Sequence, residues 1–560
     1  MPSNSDILQR HSSFLWGAAT SSYQVEGGII NNDWDFYTKS KAIKNRISTL
    51  TTPNVFYKNI TPVTLQPAGE AVKAWKPQYY LKDFDIAKYL GMNTFRISLE
   101  WSRIEPEKNE WNQDAIDHYK DMIMAMRKRG LTPVVTLNHL TLPLWVSNPP
   151  IEFKKKLGQH ILPSPLKHLP LADPPSTDPY WKSLRGWETH RTVEEFIQFV
   201  SKVVPEFKDQ VDYWITISEP VASIIGGGYI AGLFPPGFFL DGNRAKKVLH
   251  NLIEAHVQAY NKIKVLDDID ADGDGFTKKV GFSHLMLAVK PASPTRLLGA
   301  TIVDNIEAAK NFAYFINDYF INAVIKGEED LNYLNTLQRH NENSRDFIIH
   351  NDWKDKVDFI GINYYRRVYV YYSSILALSS ARFVGGAIIN NLHGYSHPIQ
   401  GILNDLGWEI YPEGLYDLLM KIRNQWKKPI FITENGIADK SDRYRAPFIV
   451  AHLHQLKRAI DNGANVIGYL HWSLMDNYEW LESYRPEAKF GLFYIDHDHQ
   501  QRIIDFNRKI TKGAQALKFI IEESTSQSKD GLITISAIAK AVDKFGTFSY
   551  DGSEVIGHNK

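Results

Sequence analysis

Eight short runs of apolar and β-branched residues punctuate the chain: Phe14–Ala19, Asn93–Leu99, Thr132–Leu137, Tyr213–Ile217, Lys279–Phe282, Val357–Ile362, Ile430–Thr433 and Val466–Leu470. Their length and composition predict buried strands. Between most of them the apolar spacing turns helical. Ile449, Val450, Leu453, Leu456 and Ile460 fall on one helical face, and Gly463 is placed to stop that helix in the left-handed conformation. Residues 243–266 and 298–325 also read as helices. Strands alternating with helices predict a parallel sheet, and eight repeats predict a closed (β/α)8 barrel, a TIM barrel in the α/β class.

Polar residues follow the strand runs. Gln24 and Glu26 come after the first, and Arg96 lies within the second. Asn138 and His139 follow the third, Glu219 the fourth, and Asn363 and Tyr365 the sixth. Glu434 follows the seventh, and Trp472 and Glu479 the eighth. In a barrel these positions share the C-terminal rim, where active sites sit. Two of them stand out. Trp214-Ile215-Thr216-Ile217-Ser218-Glu219-Pro220 and Phe431-Ile432-Thr433-Glu434-Asn435-Gly436 are each a buried run that ends in a glutamate before a turn residue. Two carboxylates converging on one rim suit glycoside hydrolysis. One protonates the leaving oxygen, and the other attacks the sugar or activates water.

Three segments interrupt the alternation: residues 41–68, 147–185 and 371–404. Each follows a strand or precedes the rim, so they are expected to be long loops at the mouth. Beyond Ile521 the composition shifts to Ser524-Thr525-Ser526-Gln527-Ser528-Lys529, which reads as a linker. The expected division is a catalytic domain over 1–521 and a tail over 522–560 with one short helix, Ile535 to Phe545.

Composition narrows the function classes. The chain has 560 residues and a net charge of +1, which gives no global attraction to nucleic acid or to an anionic membrane. It has no cysteine, which excludes disulfides, thiolate metal sites and a cysteine nucleophile. No apolar stretch is long enough to span a bilayer, and Met1 to Arg10 lacks the basic and apolar regions of a secretory signal. A cytoplasmic protein is the expectation. Asp268, Asp270, Asp272 and Gly273 match the first half of a calcium loop, but Lys279 occupies the twelfth position, where a bidentate glutamate is needed. A solvated acidic turn with no metal is expected there.

Three motifs together carry a family resemblance. They are Phe14-Leu15-Trp16-Gly17-Ala18-Ala19-Thr20-Ser21-Ser22-Tyr23-Gln24-Val25-Glu26-Gly27, Ile432-Thr433-Glu434-Asn435-Gly436 and Trp472-Ser473-Leu474-Met475-Asp476-Asn477-Tyr478-Glu479-Trp480. In this order the chain resembles glycoside hydrolase family 1, the β-glucosidase and β-galactosidase type, from about Phe14 to Phe519. The resemblance implies a retaining β-glycosidase that needs no cofactor and acts on a small-molecule glycoside or oligosaccharide. It implies Glu219 as acid/base and Glu434 as nucleophile, with Arg96 and Tyr365 supporting Glu434. It further implies that Gln24, His139, Asn363 and Glu479 bind sugar hydroxyls, that Trp472 forms the stacking floor, and that Trp480 donates a hydrogen bond. Trp408 matches the aromatic on the aglycone side. Glu219 would begin protonated because Glu434 carries charge nearby, while Arg96 would hold Glu434 ionised.

The sequence departs from that pattern at Ser218, where the family usually has the asparagine that binds the sugar 2-hydroxyl, and at Leu140, where an aromatic is common. A shorter side chain at 218 implies a weakened or water-mediated contact. Glu479 stands where phosphosugar-specific relatives differ, which argues against 6-phosphoglycosides. The resemblance leaves glucosides, galactosides and fucosides open. It also leaves open a transglycosylase on the same residues, or a sugar-binding scaffold weakened through Ser218. The oligomeric state is not legible.

Overall fold

The computed structural model of the protein describes residues 13–40, 43–44, 65–147, 155–156, 170–171, 184–275, 277–292, 302–330, 347–372, 387–390, 401–497 and 503–557. Most of the three expected mouth loops lies outside these residues.

Eight parallel strands close into a barrel: β1 (Leu15–Ala19), β2 (Thr94–Ser98), β3 (Thr132–Asn138), β4 (Tyr213–Ser218), β5 (Lys279–Pro291), β6 (Phe359–Tyr372), β7 (Ile430–Asn435) and β8 (Val466–Trp472). Pairing runs in chain order, and β8 returns to β1 with Leu15 opposite Gly468 and Ala19 opposite Trp472. All eight expected strands are therefore present. Beyond its barrel portion β6 continues outward and takes Ala387–Asn390 as an antiparallel neighbour. Helices α1 (Pro77–Tyr89), α2 (Gln113–Arg127), α3 (His190–Phe207), α4 (Gly242–Leu266), α5 (Ile302–Ala313), α6 (Pro412–Gln425), α7 (Arg445–Asp461) and α8 (Lys512–Gln527) follow the strands in turn. The helix expected over 298–325 is less regular than its periodicity implies. Its described part runs over Ile302–Ala313, widens into a π-turn at Tyr314–Asp318 and resumes as Tyr319–Lys326, while residues 298–301 lie outside the described residues.

The barrel interior is filled by side chains rather than open. Tyr213, Phe359 and Phe431 meet edge-on or tilted, with ring centroids 5.9–6.3 Å apart. Phe359 is accommodated because Gly281 faces it; a Cβ there would lie 2.4 Å from its carbonyl oxygen and 2.6 Å from its ring. The outer faces of the strands pack against the helices through a second, larger apolar layer. That plugged interior leaves the strand ends as the place where polar groups converge.

The acidic turn takes a self-contained form. The Asp270 carboxylate accepts backbone N–H bonds from Gly273, Asp274 and Gly275. Asp212, Asp270 and Asp272 lie together. The buried Lys279 ammonium sits 2.8 Å from Asp274 and 3.6 Å from Asp272, placing a cation where the calcium-loop pattern needs an acid.

The linker reading of residues 524–529 is corrected by the structure. Helix α8 continues to Gln527, and Ser524 is buried within it, its hydroxyl accepting from the Thr534 N–H. Serine and threonine suit linkers, but here tertiary packing overrides that preference. The chain then docks under the barrel. Phe14 N–H donates to the Asp530 carbonyl and the Trp16 indole N–H to the Gly531 carbonyl, each at 2.7 Å. The tail helix, α9 (Ile535–Phe545), forms where it was expected and buries Ala537, Ile538 and Ala541. Ending the chain after Gln527 removes both bonds and the buried side chains of Ile533, Ile538 and Phe548. The lost bonds, worth about 1 kcal/mol each, and the lost burial, about 1.5–3 kcal/mol per side chain, outweigh the chain entropy regained by releasing the tail, so a net destabilisation is expected. Thermal or denaturant unfolding reads it, and an unchanged midpoint would contradict it.

Candidate active site

Each strand delivers its polar group to the rim through local backbone chemistry. The pairing register slips next to the site on β4, β6 and β7, between Ile215 and Ser218, at Ile362/Asn363 and between Ile432 and Asn435. Such irregularities re-aim side chains at barrel rims. At the end of β4 the backbone turns sharply. Glu219 adopts φ 51° and ψ 51°, a left-handed conformation unusual for a residue with a side chain, and its N–H donates to the Ser283 carbonyl at 2.7 Å. A wide helical segment, Pro220–Ile230, starts immediately afterwards.

The two glutamates occupy different surroundings. Glu434 is held by charge: Arg96 Nη1 donates to Oε1 at 2.7 Å, and the Tyr365 hydroxyl donates to Oε2 at 2.7 Å. Glu219 is held by neutral donors. Asn363 Nδ2 donates to its Oε1 at 2.7 Å, and the Ser223 hydroxyl donates to its Oε2. Glu434 is buried and Glu219 half-buried. Burial pushes Glu434 up to about 7, against the opposing pull of Arg96 and Tyr365. Burial also raises Glu219, opposed by the bonds from Asn363 and Ser223 and by the charge of Arg96. Two expectations are corrected here. Arg96 does not leave Glu434 with an ordinary or lowered pKa, because desolvation outweighs it. Glu219 owes its rise to burial rather than to the charge of Glu434. Contact distinguishes the pair: Glu434 is bonded by a guanidinium and a phenol, Glu219 by an amide and a hydroxyl.

Arg96 organises more than the nucleophile position. It is fully buried, and its other donors reach Thr136 Oγ1 at 2.9 Å, the Thr433 carbonyl at 3.4 Å and Ser218 Oγ at 3.1 Å. Ser218 is therefore tied to the same cation as Glu434. His139 Nδ1 lies 3.5 Å from Arg96 Nη2, and burial with that neighbouring charge holds the imidazole well below its usual pKa, hence neutral.

The remaining predicted residues assemble around this pair. Gln24 Nε2 donates to the Tyr478 carbonyl at 2.6 Å and to Glu479 Oε2 at 3.3 Å. The Trp472 indole donates to Glu479 Oε1 at 3.2 Å. His139 lies near-parallel to both Trp472 and Trp480, with ring centroids 6.1 and 6.2 Å apart. Trp408 is half-buried and meets the site edgewise through Tyr365, with centroids 6.0 Å apart. Glu26 belongs elsewhere. It is buried against Arg103 and the Tyr119 hydroxyl, at 3.1 and 2.7 Å, as a structural ion pair.

Four supporting groups were missed, one of them Thr136, which accepts from Arg96. Ser283 on β5 and Thr433 on β7 both donate to Asn363 Oδ1, at 2.7 and 2.8 Å, which turns the amide nitrogen towards Glu219. Ser223 lies one helical turn past Glu219. The fifth strand was the one without a polar rim residue in the sequence reading, and the pattern Gly281-x-Ser283 on its inward face was the available signal.

Known proteins match over most of the chain. The glycosyl hydrolase family 1 model covers residues 9–155 and 181–524. A β-galactosidase of Saccharolobus solfataricus is 31% identical over 445 residues, covering 74% of this chain and 78% of the relative. β-Glucosidase A of Thermotoga maritima is 29% identical over 512 residues, covering 88% and 94%. The solved β-glycosidase from Pyrococcus horikoshii matches with a TM-score of 0.66 at 26% identity, over 94% of this chain and 96% of that one. The barrel, the rim and these matches agree: the chain belongs to glycosyl hydrolase family 1 and is an O-glycosyl hydrolase.

Proposed function

We propose that the protein is a retaining β-glycosidase that removes terminal non-reducing β-D-glucosyl residues, and β-galactosyl or β-fucosyl residues as well, by double displacement. The observation that carries this reading is the asymmetry of the carboxyl pair: a cation and a phenol on Glu434, neutral donors on Glu219. Glu434 attacks the anomeric carbon while Glu219 protonates the leaving oxygen. The glycosyl ester removes the charge from Glu434, and Glu219 then accepts a proton from the incoming water. Gln24, His139, Asn363 and Glu479 hold the sugar hydroxyls, Trp472 lies beneath the ring and Trp480 donates from the side. Buried hydroxyl recognition of this kind discriminates sharply between sugars.

Glu434→Gln is expected to abolish turnover on aryl β-glucosides while the protein stays folded; residual turnover above a thousandth of the parent rate would contradict the nucleophile assignment. The pair must hold one proton to work. Raising the pH removes the proton that Glu219 donates, so kcat/KM falls on the alkaline side, and because burial raises Glu219 that limb lies above the ordinary carboxylate range. Lowering the pH adds a second proton and silences Glu434. Glu219→Gln should therefore erase the alkaline limb, and should slow poor leaving groups far more than activated ones. A limb that persists would assign it to another group.

Ser218 is the weak point of the pocket. Its hydroxyl is engaged by Arg96 and is shorter than the asparagine that the family places there. Ser218→Asn is expected to raise turnover on β-glucosides about tenfold or more and to leave the matched 2-deoxy-glucoside unchanged, since contacts to the 2-hydroxyl strengthen in the transition state. Equal effects on both substrates would refute a 2-hydroxyl role.

A further inference from the structure

The family match ends at residue 524, yet the tail beyond it climbs from the base of the barrel to the rim. It starts at the contacts of Asp530 and Gly531 with β1. It then passes beside α7 and α8 as α9, where Phe545 meets Phe519 with centroids 5.8 Å apart. A small hairpin follows, with Thr547–Phe548 paired to Val555–Ile556. Phe548 packs on Tyr444 at the start of α7, and Tyr550 on His454.

The turn of this hairpin is fixed from within. Asp551 Oδ1 accepts from the Ser549 hydroxyl at 2.8 Å and from Ser553 N–H at 3.0 Å, and Gly552 N–H donates to the Ser549 carbonyl at 3.0 Å. Two carbonyls then point outward. Tyr550 O accepts from Glu413 N–H at 2.9 Å, satisfying a donor in the first turn of α6, and Gly552 O accepts from Ile402 N–H at 2.7 Å. Ile402 is one arm of the loop that carries Trp408. The arms are joined by Ile410 N–H to the Ile402 carbonyl at 2.9 Å, and the tip is closed by Asn404, which accepts from Trp408 N–H at 2.9 Å and donates to its carbonyl at 2.9 Å. Gly552 sits directly against the second arm. Its φ is +73°, and a Cβ there would lie 1.8 Å from the Ile410 carbonyl oxygen.

We propose that the turn at 549–554 is a buttress for the Trp408 loop, with Tyr550 and Gly552 as positioning residues, so that this tail sets how the enzyme uses leaving groups and acceptors. The inference rests on the reading of Trp408 as the aglycone-side aromatic. The carboxyl pair is held by Arg96, Tyr365, Asn363 and Ser223, on strand ends and on the segment after β4. The loop meets this centre through the Trp408–Tyr365 contact, but its backbone bonds to the tail are distinct from the bonds that hold the carboxyls, so loss of the buttress acts first on the aglycone side.

The test compares the full chain with a truncation after Phe548 and with Gly552→Val. For each, kcat/KM is measured on cellobiose and on 4-nitrophenyl β-D-glucoside, together with the inhibition constant of deoxynojirimycin, which occupies the sugar site alone. Both variants are expected to shift the cellobiose-to-aryl ratio at least fivefold, with deoxynojirimycin binding within twofold of the parent. Trp408→Ala should shift the ratio in the same sense, and adding the truncation to it should change the ratio no further. An unchanged ratio in both variants overturns the buttress. So does a loss of deoxynojirimycin binding in step with kcat/KM, which would mark general structural support. If Trp408→Ala leaves the ratio untouched in an enzyme that hydrolyses both substrates, the aglycone reading falls and takes the proposal with it. A full chain inactive on every β-glycoside removes the glycosidase reading itself.

Discussion

The site depends on one buried cation. The Arg96 guanidinium is removed from water, and such a charge is tolerated only when it is paired and its remaining donors are satisfied. Glu434 supplies the pairing, and Thr136, Ser218 and the Thr433 carbonyl take the other N–H groups. The same bonds run from β2 to β3, β4 and β7, so the guanidinium fastens four strands of the barrel at the level of the two carboxyls. A planar fork with five donors suits this role, and a lysine ammonium could not span those partners. The nucleophile candidate is thus oriented by the fold rather than by substrate, the preorganisation that electrostatic catalysis requires.

Glu219 is arranged differently. Its left-handed backbone aims the carboxyl off the end of β4, and its hydrogen bonds come from an amide and a hydroxyl. The Asn363 amide is itself oriented, because Ser283 and Thr433 both donate to its oxygen and leave its nitrogen for Glu219. Four strands, β4 to β7, contribute to that small network. One carboxyl is bonded to a cation and one to neutral donors, and the proposed division into nucleophile and proton donor rests on that asymmetry.

Much of this was legible in the sequence. The eight strands announced themselves through short apolar runs, and both glutamates through their place at the ends of such runs. The supporting groups were harder to see. Thr136, Ser283 and Thr433 lie within strands, where small polar side chains are indistinguishable from ordinary alternation until the barrel turns them inward. Ser223 is visible only once the chain after Glu219 is known to coil. The direction of the Glu434 shift also depends on burial, which no local pattern reveals. Residues 524–527 misled because serine and threonine favour linkers, whereas here they finish a helix packed against the barrel. The tail carries little apolar surface of its own and is ordered by what it docks against.

The proposed double displacement requires that Glu434, oriented by Arg96, form a covalent bond to the sugar. Incubation with an activated 2-deoxy-2-fluoro-β-glucoside, followed by mass spectrometry of the proteolysed protein, tests it most directly. One added fluoroglucosyl group is expected on the peptide carrying Glu434, and none in Glu434→Gln. A label on Glu219, or steady turnover of ordinary glucosides with inversion at the anomeric carbon and no label, would contradict it.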